Sequence, residues 1–180
     1  MADRGSIRGE YEQHGVQGFY EQYGDQYRNP HEVAIRATLE RAIALWQFDL
    51  SHVLDLACGS GEVTLKVWEL GCTQVDAIDP YTGAAYLERT GRAAESFTFE
   101  QIASGALTAR HYSLIVCSFA MHLVEESRLP TLAYQLSLIA DRLLILTPHK
   151  RPEIDARWGW ELAGEIVEDR VRARAYETRS

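Results

Sequence analysis

Apolar and polar positions along this chain repeat with two different periods. Between Asn29 and Trp46, the residues Ile35, Leu39, Ala42, Ile43 and Trp46 fall on one stripe at helical spacing, while Arg36, Glu40 and Arg41 fall off it. Asn29-Pro30-His31-Glu32 predicts the start of that helix, with Asn29 as N-cap, Pro30 at the first helical position and Glu32 completing a capping box. Short apolar runs then recur at residues 53–56, 75–79, 114–118 and 142–147, each too short for a core helix. Helical patterns separate them: one runs to Leu70 and stops at Gly71, one spans residues 82–92, and one opens at Pro130 with Leu132, Leu136 and Ile139 on one side. Phe97-Thr98-Phe99-Glu100-Gln101-Ile102 alternates and predicts a third strand toward the sheet edge. Two further β-compatible segments lie in residues 158–176. In the second, Val171, Ala173 and Ala175 alternate with Arg170, Arg172 and Arg174, predicting a solvated arginine face balanced by Glu165, Glu168 and Asp169. Strands alternating with helices and joined by right-handed crossovers predict an α/β, doubly wound sheet.

At 180 residues and 46% hydrophobic, the chain is expected to be one domain, with residues 1–50 as an N-terminal arm and first helix and residues 51–180 as the core sheet. The arm interleaves Tyr11, Phe19, Tyr20, Tyr23 and Tyr27 with Glu, Gln and Gly. It reads either as a loosely packed tail or as a lid hinged at Gly15, Gly18 and Gly24. No stretch reaches the roughly 18 apolar residues of a membrane span, and Met1-Ala2-Asp3-Arg4-Gly5 has no apolar signal core, so a cytoplasmic location without membrane contact is expected. Cys58, Cys72 and Cys117 are odd in number and lack C-x-x-C spacing; reduced core thiols are expected, and no metal site. The net charge of -8 disfavours nucleic acid as a partner and favours a small-molecule or protein substrate, the oligomeric state remaining open.

Candidate chemistry concentrates in Val53-Leu54-Asp55-Leu56-Ala57-Cys58-Gly59-Ser60-Gly61-Glu62-Val63-Thr64. An apolar run ending in an acid, a turn of small residues and a resumed helical pattern read as strand, tight loop and helix, where a ligand can touch backbone. Eighteen residues beyond Gly61, Asp79 ends another strand-like run and is stopped by Pro80. In a doubly wound sheet such an acid accepts bonds from ribose hydroxyls. The dinucleotide frame G-x-G-x-x-G fits poorly, since Gly59-Ser60-Gly61-Glu62-Val63-Thr64 places Thr64 where a close-packing glycine or alanine belongs.

Asp55-x-Ala57-Cys58-Gly59-Ser60-Gly61 together with Asp79 closely resembles motifs I and II of the class I S-adenosylmethionine-dependent methyltransferases, with Ala57 in place of the first glycine. That substitution asks only for an unstrained backbone at residue 57. Residues 112–123 are similar to the family's fourth strand and following loop, and residues 142–148 to its fifth. The resemblance implies a Rossmann-like sheet of seven mostly parallel strands, helices on both faces and an antiparallel C-terminal strand. It implies S-adenosyl-L-methionine as cofactor, with Asp55 near the methionyl end, backbone from Ala57, Cys58, Gly59, Ser60 and Gly61 beneath it, and Asp79 on the ribose. Pro80, Tyr81, Ala103, Ser104, Ser118, Phe119 and the lid residue Tyr27 complete the implied cofactor set.

The implied activity is in-line methyl transfer to a small molecule or protein side chain. A nucleic-acid methyltransferase and a catalytically silent cofactor-binding subunit are the alternatives. Ser118-Phe119-Ala120-Met121 is not the Asn/Asp-Pro-Pro-Tyr/Phe run of relatives acting on nucleic-acid bases, and Lys66 and Lys150 are the only lysines available for a Lys-Asp-Lys-Glu tetrad. Histidine is the base suited to neutral pH, and His122 and His149 follow strands at the edge where the methyl group would be presented. His14, His31 and His111 are expected elsewhere. A lip of His149, Lys150, Arg151, Arg157, Trp158 and Trp160 is a further candidate for holding an anionic substrate or an exposed base.

Overall fold

The computed structural model describes residues 24–179. Tyr11, His14, Gly15, Gly18, Phe19, Tyr20 and Tyr23 of the expected lid lie outside the described residues. The strands are β1 (Val53–Leu56), β2 (Val75–Ile78), β3 (Leu114–Ser118), β4 (Arg142–Thr147), β5 (Trp160–Glu168) and β6 (Val171–Thr178). They form one six-stranded sheet in the order β2-β1-β3-β4-β6-β5. The first four are parallel, and the C-terminal pair is antiparallel, β6 to β4 and β5 to β6.

The helices α1 (Glu32–Trp46), α2 (Glu62–Glu69), α3 (Gly83–Thr90), α4 (Phe99–Ala103) and α5 (Leu129–Ser137) connect the strands. A central parallel strand is buried on both faces, so β1, β3 and β4 are apolar almost throughout and feed two cores. Leu54, Leu56, Ile115, Cys117 and Ile145 pack with α5 on one face; Val53, Leu114, Val116, Leu144 and Leu146 pack with α1 and α2 on the other. The α1 stripe buries Ile35, Leu39 and Ala42, as its spacing predicts, and Gly71 (φ 96°) closes α2 as a left-handed cap. No described helix is long and apolar enough to cross a membrane.

Three expectations are corrected. The predicted third strand is absent, leaving six strands in place of seven among the described residues: residues 97–102 run into α4, and beyond β2 the described sheet keeps a single parallel bridge, Ile78 to Glu95. The local cause is a capping box, Thr98 Oγ1 accepting from Gln101 N (3.2 Å) and Gln101 Oε1 accepting from Thr98 N (2.9 Å). The start of α1 also differs. Asn29 Oδ1 takes the N–H of His31 (2.9 Å), while the Glu32 carboxylate is held by Arg89 Nη2 (2.7 Å) and closes no box. Lastly, the arginines of β6 are not a uniformly solvated face, because Arg174 is 3% exposed. Its guanidinium donates to the carbonyls of Pro152 (2.6 Å) and Lys150 (2.5 Å) and to Glu165 (2.6 Å).

Candidate functional site

The parallel strands end together at one edge of the sheet, and the loop after β1 forms the floor there. Ala57 has φ 58°, Gly59 56° and Gly61 94°, all in the left-handed region. The unstrained backbone expected at Ala57 is therefore corrected: an L side chain there costs about 1–2 kcal/mol, which a glycine avoids. A Cβ on Gly59 would lie 2.9 Å from Tyr27 Cε1, so the Tyr27 ring rests against the loop. Gly24 is pressed still closer to the Tyr81 carbonyl, so the segment 24–28 is seated over the start of α3.

Asp79 joins the end of β2 to this loop. Its Oδ2 accepts from Gly59 N (3.2 Å), and its Oδ1 accepts from Tyr81 N (2.8 Å) and Thr82 N (3.1 Å). Asp55 points behind the loop, where its Oδ2 takes both the backbone N–H (3.1 Å) and the hydroxyl (2.7 Å) of Thr64. It does not line the cavity. Burial pushes the Asp55 carboxyl up to about 8, so it is largely protonated at neutral pH. Burial also raises Asp79 and Glu62. Glu62 accepts from Ser60 Oγ (2.9 Å) and from Asn29 N (3.3 Å), and Arg89 reaches Ser60 Oγ (3.3 Å), so the loop is tied to α3 and to the approach to α1.

Above this floor is a cavity of about 560 Å³. Tyr27, Ala57, Gly59, Asp79, Pro80 and Tyr81 form one side, Phe97, Phe99, Glu100, Ala103 and Ser104 another, and Ser118, Phe119 and Ala120 a third. Leu123 and Val124 from the loop after β3, and Arg128, Thr131 and Leu132 at the start of α5, close it. Of the predicted cofactor residues, Cys58, Ser60 and Gly61 are buried within the loop and, like Asp55, do not line the cavity. Ala103 and Ser104 were named from sequence, but Phe97, Phe99 and Glu100 on the same wall were not, because the alternation of residues 97–102 reads as a strand. The Thr98-x-x-Gln101 spacing is the signal that marks α4. Ser118 Oγ is buried without a hydrogen-bond partner, and Phe119 holds φ 54°, a costly conformation for an aromatic residue and one that clusters at ligand sites.

His122 and His149 meet edge to face, with ring centroids 4.9 Å apart. Neither lines the cavity itself, although Leu123, next to His122, does. Burial, and secondarily His149, lowers His122 to about 4, and its Nδ1 is buried with no partner. His31 stacks on Phe119 at 5.4 Å, which brings a third histidine to this edge, where the sequence placed it only at a helix start. His111 lies at the far edge beside Asp141 (3.3 Å), as expected. The predicted lip is smaller than its sequence suggests. Trp160 is fully buried with its indole N–H on the Ala133 carbonyl (2.8 Å), and Arg157 is held by Asp155 (2.8 Å). Among the described residues, no cluster of His, Cys, Asp and Glu has the arrangement of a metal site.

No protein-family model matches the chain. The Schizosaccharomyces pombe protein C17A5.05c is 32% identical over 230 aligned positions, covering 97% of this chain and 93% of its own. Among solved structures, magnesium protoporphyrin IX methyltransferase from Synechocystis with bound S-adenosylmethionine superposes with a TM-score of 0.59 at 17% identity, covering 100% of this chain and 99% of that one. The N-methyltransferase NodS from Bradyrhizobium japonicum, in complex with S-adenosylhomocysteine, gives 0.60 at 17% identity, covering 89% and 99%. An O-methyltransferase family protein from Burkholderia thailandensis gives 0.67 at 13% identity, covering 96% and 62%.

Proposed function

Since this chain belongs to one family with the fission-yeast protein C17A5.05c and has the class I methyltransferase fold, we propose that it is an S-adenosylmethionine-dependent methyltransferase of small molecules. The carrying observation is the cavity at the carboxyl ends of β1, β2 and β3, floored by Ala57 and Gly59 and flanked by Asp79 and Ser118. In open α/β sheets ligands bind at this switch in strand order.

The residues fit a nucleoside-bearing cofactor. Three backbone N–H groups occupy part of the Asp79 carboxylate, which leaves acceptor capacity for a hydroxyl donor. Tyr81, Phe97 and Phe99 supply apolar wall for a planar base, and Ser118 Oγ is a polar atom still in want of a partner. When bound, S-adenosylmethionine supplies a methyl group already activated by its sulfonium. Tyr27 and the loop then position it. Holding two reactants in line supplies most of the acceleration in such a transfer. His122 is neutral at physiological pH, and its Nδ1 is buried without a partner beside His149.

A concave cavity of this size and a net charge of -8 favour a small acceptor over nucleic acid. The neighbours acting on magnesium protoporphyrin IX, and NodS as an N-methyltransferase, support the class of reaction. Calorimetry with S-adenosylhomocysteine and with NAD is the direct test: micromolar binding of the former alone is expected, and binding of NAD alone rejects the proposal. Radiolabelled transfer into the small-molecule fraction of a cell extract is then expected. Label in protein or RNA would move the acceptor class, and tight cofactor binding with no transfer to any fraction would favour a silent subunit.

A further inference from the structure

We infer that His149, Lys150 and Arg151 form a rigid cationic lip that binds a carboxylate or phosphate group of the methyl acceptor. The inference rests on the methyltransferase reading for what the ligand is, and on independent geometry for the anion site. Lys150 and Arg151 are both exposed, and among the described residues no ion pair or hydrogen bond joins either side chain to an acid. Most of the described cations differ, in a chain whose net charge is -8. Arg89, Arg110, Arg128 and Arg142 are each paired with a carboxylate. The acids nearest the lip in sequence are also engaged: Glu153 lies 3.6 Å from Arg174, and Asp155 is bound by Arg157 (2.8 Å).

The lip is built rather than loose. The buried Arg174 guanidinium holds the carbonyls of Lys150 and Pro152, Thr147 Oγ1 accepts the N–H of His149 (3.1 Å), and Tyr176 OH accepts the N–H of Ile154 (3.3 Å). A charged residue 3% exposed on a C-terminal strand is thus spent on fixing the backbone beneath two free cations. The lip also adjoins the cavity: the His149 ring packs on His122, and the following residue, Leu123, is cavity wall. Two adjacent cations on a fixed backbone recognise an anion with little ordering cost. An acceptor held there would lie against His122.

Isothermal titration of the full chain, with and without saturating S-adenosylhomocysteine, should use benzoate and phenyl phosphate against the neutral benzamide and benzyl alcohol. The anionic probes are expected to bind about 10-fold more tightly than their neutral counterparts, the order of magnitude of charge-assisted bonds at an exposed site. The preference should fall below about twofold in Lys150→Gln/Arg151→Gln with the thermal midpoint unchanged, since both side chains are exposed. Benzoate outranking phenyl phosphate, or the reverse, identifies which anion the acceptor carries. No preference in the wild type, or one that persists in the double variant, overturns the inference. If S-adenosylhomocysteine does not bind while the preference is present and lost in the variant, the methyltransferase reading falls and the anion site stands.

Discussion

Ala57 carries its side chain at φ 58°, where glycine would be unstrained. Ala57→Gly should stabilise the protein by about 0.5–1 kcal/mol, the strain relieved outweighing the added unfolded-state entropy, and raise the melting midpoint by roughly 1–4 °C. An unchanged or lower midpoint in calorimetric melts would show the loop is not strained there. Asp55 makes a pH prediction. Its folded pKa of about 8 lies above the ordinary 3.8, so the folded state holds its proton more tightly than the unfolded state does. This stabilising effect is fully present below about pH 4 and is lost as pH rises toward 8. Asp55→Asn keeps an acceptor for Thr64 and has no proton to lose. Its stability relative to wild type should therefore climb between those pH values in denaturant titrations; a constant difference would contradict the assignment. Asp79→Ala should weaken S-adenosylhomocysteine binding by roughly 10- to 150-fold in calorimetry, the range for a bond to a charged acceptor.

At the scale of elements, α4 is where pattern and structure part. The alternation of Phe97, Phe99 and Gln101 has the period of a strand, yet Thr98 and Gln101 cap each other and turn the chain into a short helix that walls the cavity. Period alone does not separate a short strand from a single helical turn, whereas the capping chemistry does. Thr98→Ala should cost about 1 kcal/mol of stability, read from denaturant midpoints. A similar conflict occurs in β6, where alternation puts Arg172 and Arg174 on one face. Arg172 stays half-exposed beside Glu165, and Arg174 is drawn under the loop after β4. Nothing local distinguishes them; the carbonyls that bind Arg174 come from more than 20 residues away.

For the whole molecule, ligand binding and stability are linked, because the unfolded chain has no cavity. S-adenosylhomocysteine at a hundredfold over its dissociation constant should add about 2.7 kcal/mol, lifting the midpoint by roughly 5–10 °C. A midpoint indifferent to the ligand, alongside a shift with NAD, would reject the cofactor assignment. The double-sided burial of β1, β3 and β4 is what makes this edge rigid, since both cores converge on the strands that deliver Ala57, Ser118 and Thr147.

Run length and composition by themselves determined the parallel strands, the helices between them and the small-residue loop with its two acids, because a buried strand must be apolar throughout and a tight loop needs small residues. Gly59, Asp79, Tyr81 and Ser118 were accordingly found from sequence at the cavity they line. What only the tertiary structure decided was direction and partnership. Asp55 and Asp79 both end strand-like runs, yet Asp55 is turned onto Thr64 behind the loop while Asp79 remains at the cavity wall. The pairing of His122 with His149, and the clamping of the Lys150 loop by Arg174, likewise join segments distant in the chain. Such contacts depend on which faces the packed sheet brings together, information that no local window of sequence contains.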